Sequence, residues 1–200
     1  MQQSTVHKRL KELTLSKVNA RVSIVNVVAS VTLNQTLDLN SIIKAFPRVV
    51  YKPQQFPGAV FKLKEPKTAH LIFGTGKMVC VGAKSERQAK RAVMKVIQSL
   101  KENGILIVGK PTIKVVNIVT SARLGGQVNV EKAVYVLERT MYEPEQFPGL
   151  IYRMDEPKVV ILIFTTGELV ITGAKTEEEV YQATARLQRR LEEEKLIVYG

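Results

Sequence analysis

The stretch "QQFPGAVFKLKEPKTAHLIFGTGKMVCVGAK" (residues 54–84) decides the fold, because it is written twice. Residues 145–175 read "EQFPGLIYRMDEPKVVILIFTTGELVITGAK". Between Tyr51 and Lys84, 18 of 34 positions are identical to the residue 91 positions later, without a gap. The offset extends outward: Asn26 matches Asn117, Phe73 matches Phe164 and Gly82 matches Gly173. A fixed period marks a duplicated structural unit, and two copies imply a pseudo-two-fold molecule, the single-chain counterpart of a symmetric dimer. The division this suggests is an N-terminal extension (1–20), a first repeat (21–109) and a second (110–200).

Each copy reads alike. "RVSIVNVVASVTL" (21–33) is β-branched and apolar, hence a strand. "DLNSIIKAF" (38–46) predicts a short helix capped by Asp38 or Asn40 and ended by Pro47. "VVYKP", "AVFKLKE", "TAHLIF" and "KMVCVGA" are short strands parted by Pro-Gly, Glu-Pro-Lys and Gly-Thr-Gly-Lys turns, a meander. Residues 84–104 form a helix with Ser85 as N-cap, apolar positions at 89, 92, 93, 96, 97 and 100, and Gly104 just past its end. Thr176 caps its counterpart. Ten strands and two long helices predict an α+β fold, a continuous ten-stranded antiparallel sheet with helices on one face. A naked second face should alternate polar with apolar, and these strands do not. That face is an interaction surface unless a partner subunit or the N-terminal segment covers it.

Pro-Gly suits the centre of a type II turn, with Gly at φ > 0, and the residue before Pro is extended. Phe56 and Phe147 are therefore placed at the lips of tight turns. Each is followed 17 residues later by a second Phe, Phe73 or Phe164, at a strand end. These are either ordinary core pairs or apolar wedges.

Charge narrows the partner. The net charge is +12 with a pI near 9.8, which points to a polyanion. Residues 1–109 carry 18 Lys and Arg against 5 Asp and Glu; residues 110–200 carry 12 against 13. The first half is expected to hold the polyanion, leaving the second freer for protein. The single cysteine, Cys80, excludes an internal disulfide and reads as a buried strand residue. No apolar run is long enough to span a bilayer, and the N-terminus lacks the apolar core of a secretory signal. His7 and His70 have no catalytic partners in the pattern, and "FGTGKM" lacks the full phosphate-loop spacing. Neither an enzyme nor a cofactor, metal or small-molecule substrate is expected. Double-stranded and single-stranded nucleic acid both remain, the latter by stacking bases on sheet aromatics.

The duplicated "N-[IV]-V-x-S", "Y-x-P-x-x-F-P-G", "E-P-K", "LIF-x-T-G" and "GAK" segments resemble the TATA-box-binding protein family of general transcription initiation factors, in its archaeal form. The resemblance covers residues 20–199. It implies a saddle whose concave sheet sits on a widened minor groove of A·T-rich promoter DNA, with helices on the convex side. It places the intercalating phenylalanines at Phe56, Phe73, Phe147 and Phe164, and the central asparagines at Asn26 and Asn117. Val28, Val119, Val79 and Val170 fall on apolar groove contacts. The central threonine pair is half kept, as Thr172, with Val81 in place of the other. Phosphate contacts fall on Lys62, Lys67, Lys77, Arg153 and Lys158; Glu168 stands where the second copy's equivalent of Lys77 would be. Glu143, Glu145 and Gln146 fall on the surface for transcription factor B, with Gln146 in place of the leucine more familiar there; transcription factor B and RNA polymerase are the implied protein partners. The implied location is cytoplasmic, with the nucleoid (nuclear in a eukaryote).

Overall fold

In a computed structural model, residues 20–200 are described, so the expected N-terminal extension lies almost wholly outside the described residues. Two compact units are found: residues 25–117, and residues 118–200 together with residues 20–24. The strands are β1 (Arg21–Thr32), β2 (Gly58–Leu63), β3 (Thr68–Phe73), β4 (Lys77–Ala83), β5 (Thr112–Arg123), β6 (Gly126–Val128), β7 (Thr140–Met141), β8 (Leu150–Met154), β9 (Val159–Ile163), β10 (Glu168–Ala174) and β11 (Ile197–Tyr199). The helices are α1 (Leu39–Ala45), α2 (Glu86–Glu102), α3 (Val130–Val136) and α4 (Glu177–Glu193). The first repeat orders its strands β2-β3-β4-β1, and the second β5-β10-β9-β8-β7, with antiparallel neighbours. The α+β class and the two-repeat plan are as expected.

The tenth expected strand, "VVYKP", survives as one bridge, Val50↔Val60. A turn closed by Val49 N–H on the Phe46 carbonyl (2.9 Å) precedes it and commits the donor of the residue that matches Thr140 of β7. The pairing of β6 with β11 was not expected. In the first repeat a side chain does the same work. Gln35 Nε2 donates to the Leu106 carbonyl (2.8 Å) and its Oε1 accepts from Val108 N–H (2.8 Å).

Helix positions follow their sequence signals. Asp38 caps α1, accepting from Asn40 N–H at 3.0 Å. Ser85 and Thr176 cap α2 and α4, accepting from Gln88 N–H (3.1 Å) and Glu179 N–H (3.2 Å). The buried stripe of α2 is Ala89, Ala92, Val93, Val96, Ile97 and Leu100, and α4 repeats the spacing from Val180 to Leu191. Within its own unit α2 packs on β4, where Met78, Cys80 and Ala83 are buried, and α4 packs on β10, where Leu169, Ile171 and Ala174 are buried. Each large aliphatic side chain so buried contributes about 1.5–3 kcal/mol. α2 ends with Ile105 N–H on the Leu100 carbonyl and Gly104 at φ 81°, the left-handed exit expected there.

His70 is fully buried on the helix-facing side of β3, with Nε2 3.1 Å from Thr68 Oγ1. Burial lowers its pKa from 6.5 to about 4. Between those values the unfolded chain binds a proton that the folded chain refuses, so stability falls as pH falls through that window. The second repeat has Ile161 at this position. His70→Ile is expected to remove this pH dependence: between pH 7 and 4.5 the wild type should lose about 2–3 kcal/mol more than the variant in urea unfolding. Equal losses would show that His70 is not the titrating group. Burial also pushes the Cys80 thiol up to about 11, leaving it an inert core residue.

Candidate nucleic-acid interface

The strand residues that point away from the helices form a partly exposed face in each unit, and strand register fixes its rows. In residues 25–117, Ser30, Val79, Leu71 and Val60 are successive cross-strand partners. The next row runs Val81, Ala69, Lys62. In residues 118–200 the matching rows are Ser121, Val170, Leu162, Ile151 and Thr172, Val160, Arg153. Val28 and Val119 lie on the same face of β1 and β5, also partly exposed. Each second row therefore begins near the strand carrying the asparagine, crosses an apolar floor and ends on an exposed cation. Leu71, Leu162, Val60, Ile151, Ala69 and Val160 complete that floor; strand alternation would have found them.

Asn26 is fixed by a β-bulge. Between Val27↔Ala83 and Ala29↔Cys80 the register slips, and Gly82 takes φ 96°. Its N–H donates to Asn26 Oδ1 at 2.7 Å. The carbonyl end of the amide is thereby committed to the backbone, and the NH2 end is the donor left for a ligand. Gly173 repeats the bulge at φ 101°, and Asn117 is partly exposed on β5.

The phenylalanines are brought together in pairs. Phe56 and Phe73 stand edge to face, centroids 5.7 Å apart; Phe147 and Phe164 repeat this at 5.8 Å. Phe56 is 38% exposed and Phe147 36%, so neither pair is an ordinary core pair. The expected type II turn is corrected. Gly58 and Gly149 are not among the positive-φ glycines. The chain reverses one step earlier, where the Lys52 carbonyl accepts from both Gln55 and Phe56 N–H at 2.9 Å, and Glu143 does the same for Gln146 and Phe147. Glycine is required instead by the rings. A Cβ on Gly58 would lie 2.7 Å from Phe56 Cε1 and 3.0 Å from Phe73 Cε1, and Gly149 gives the same two distances to Phe147 and Phe164.

Lys62, Lys67, Lys77, Arg153 and Lys158 are all exposed, as are Glu143, Glu145 and Gln146 on the turn before Phe147. Among the described residues no three His, Cys, Asp or Glu side chains converge as a metal site, and no helix is long and apolar enough to cross a membrane.

The profile of the family described as "Transcription factor TFIID (or TATA-binding protein, TBP)" matches residues 21–103 and again 112–194. The chain belongs to the TATA-binding protein family. It is 54% identical over 174 residues to the TATA-box-binding protein of Sulfolobus acidocaldarius, covering 87% of this chain and 88% of that protein. The TATA-box-binding protein of Archaeoglobus fulgidus is 47% identical, covering 86% and 94%. A solved TATA-binding protein from Methanococcus jannaschii superposes with a TM-score of 0.80 at 44% identity, covering 86% of this chain and 99% of that one. Both family matches fall on the duplicated unit, so the internal repeat is a property of the family. TATA-binding proteins are DNA-binding transcription factors rather than enzymes.

Proposed function

We infer that this chain is a general transcription initiation factor that binds A·T-rich promoter duplex through the minor groove, each repeat contributing one asparagine, one apolar floor and one phenylalanine pair. The observation that carries this is the paired, exposed rings recurring at the same places beside apolar rows edged by cations. An A·T minor groove offers only acceptors, which suit amide donors over an apolar floor, whereas the exocyclic amine of guanine would be buried there unpaired. TATA-binding proteins are themselves the type case of kinking by inserted apolar side chains, so the kink is taken over from the family. Phe56, Phe73, Phe147 and Phe164 are the wedges, Asn26 and Asn117 the central donors, and Lys62, Lys67, Lys77, Arg153 and Lys158 the phosphate contacts. Val28, Val79, Val81, Val119, Val170 and Thr172 line the groove. Glu143, Glu145 and Gln146 present an acidic turn to transcription factor B, which recruits RNA polymerase; the site of action is the nucleoid. Competition tests the reading: an A·T-rich duplex should outcompete single strands of equal length and a G·C-rich duplex by at least about tenfold, each mismatched pair costing about 1–3 kcal/mol. Ready displacement by single strands would favour base stacking on the sheet aromatics instead.

A further inference from the structure

The two repeats differ at one cross-strand pair on the open face. In the first, Thr32 of β1 partners Lys77 of β4; in the second, Arg123 of β5 partners Glu168 of β10. The cation has moved one strand across. Arg123 Nη2 donates to Glu168 Oε1 in an ion pair whose side chains are 65% and 51% exposed. The Phe164 N–H donates to the Glu168 carbonyl at 3.0 Å, so the pair stands beside the second repeat's ring pair. Arg21, Ser121, Arg123, Phe164, Glu168 and Val170 line one open groove there.

We propose that Arg123 is the second repeat's phosphate anchor beside Phe164, taking the part of Lys77, and that Glu168 is a positioning residue that aims it. A guanidinium has five N–H donors in a rigid fork, so one given to Glu168 leaves others for a phosphate oxygen. Without Arg123, Glu168 would stand as a bare anion on a DNA-facing surface. The inference rests on the minor-groove reading above.

The test is binding to an A·T-rich duplex between 50 and 200 mM salt, with the Glu168→Gln variant as background so that no bare carboxylate confuses the result. Adding Arg123→Thr to Glu168→Gln should weaken binding about eightfold near 0.1 M salt and flatten the log–log salt slope by about 1, the signature of one lost phosphate contact. Arg123→Thr with Glu168→Lys, which rebuilds the first repeat's pattern, should return affinity to the wild-type level. The proposal is overturned if Arg123→Thr changes neither affinity nor slope in the Glu168→Gln background, or if the rebuilt pair stays as weak as Arg123→Thr/Glu168→Gln. Both outcomes leave wild-type duplex binding intact. Wild-type protein that does not prefer the duplex over single strands would instead overturn the minor-groove reading, and this proposal with it.

Discussion

Phe147→Ala with Phe164→Ala should abolish the DNA kink made by the second repeat while lowering affinity only about 10- to 100-fold. The disproportion follows from two opposed terms. Burying two phenylalanine rings between base steps gains about 3–6 kcal/mol. Unstacking the step costs a few kcal/mol, and the variant no longer bears that cost. Affinity therefore reports a difference, whereas the bend reports the wedge itself. Fluorescence energy transfer across an end-labelled A·T-rich duplex, or gel phasing, reads the bend directly. Folding should be little affected, because Phe147 is already 36% exposed and an edge-to-face pair is worth only about 0.5–1.5 kcal/mol. The structure supplies its own control. Phe46 and Phe61 form a third edge-to-face pair, centroids 5.0 Å apart, with Phe61 buried on the helix-facing side. Phe61→Ala should cost stability and leave the bend unchanged in the protein that remains folded. A full bend from the Phe147/Phe164 double variant would remove the wedges from the mechanism.

The repeat made most of the fold legible, because a gapless offset of 91 residues carries every local signal twice. Ser85 and Thr176 were found as caps, and the buried stripe of α2 at its 3.6-residue spacing, since both depend on neighbours close in sequence. What was misread depends on tertiary approach. Pro57-Gly58 matches a type II turn locally, but Gly58 is needed because two rings crowd the place where a Cβ would stand. Nothing in the local pattern distinguishes those reasons. Gln35 standing in for a strand pairing was equally hidden, because its partners lie 71 and 73 residues away. Arg123 opposite Glu168 required the bulge at Gly173. Extending the pairing Ala174↔Ile118 without a slip would set Arg123 against Leu169, which belongs to the buried face. The asparagine and lysine positions, by contrast, rest on resemblance; the repeat singles out the four phenylalanines, but their sequence neighbours alone leave a core pair and a wedge pair indistinguishable.

Neutralising Lys62, Lys67 and Lys77 together should flatten the salt dependence of duplex binding by up to about 3 units in the log–log slope, roughly 0.9 per phosphate contact. Counting Arg123 with the five family positions gives six contacts, so wild-type affinity should fall about 1,800-fold between 50 and 200 mM salt; with the three left at Arg123, Arg153 and Lys158 it should fall only about 40-fold. All three lysines are exposed, so replacement by glutamine should leave the fold intact. Of the family's phosphate positions the second repeat keeps only two, Arg153 and Lys158. It has Glu168 in place of Lys77, paired with Arg123, and residues 110–200 carry 12 basic against 13 acidic side chains. Arg153→Gln with Lys158→Gln should therefore flatten the slope by no more than about 2. The inequality has a mechanistic consequence. Attraction that draws the polyanion in acts mainly through the first repeat, whereas the second, nearly neutral, bears the acidic turn of Glu143 and Glu145 and is free to meet a basic protein without repelling it. Equal slopes from the two sets of variants would show that the charge difference between the repeats lies on surfaces the DNA does not reach, and an unchanged slope in the triple variant would show that these lysines touch no phosphate.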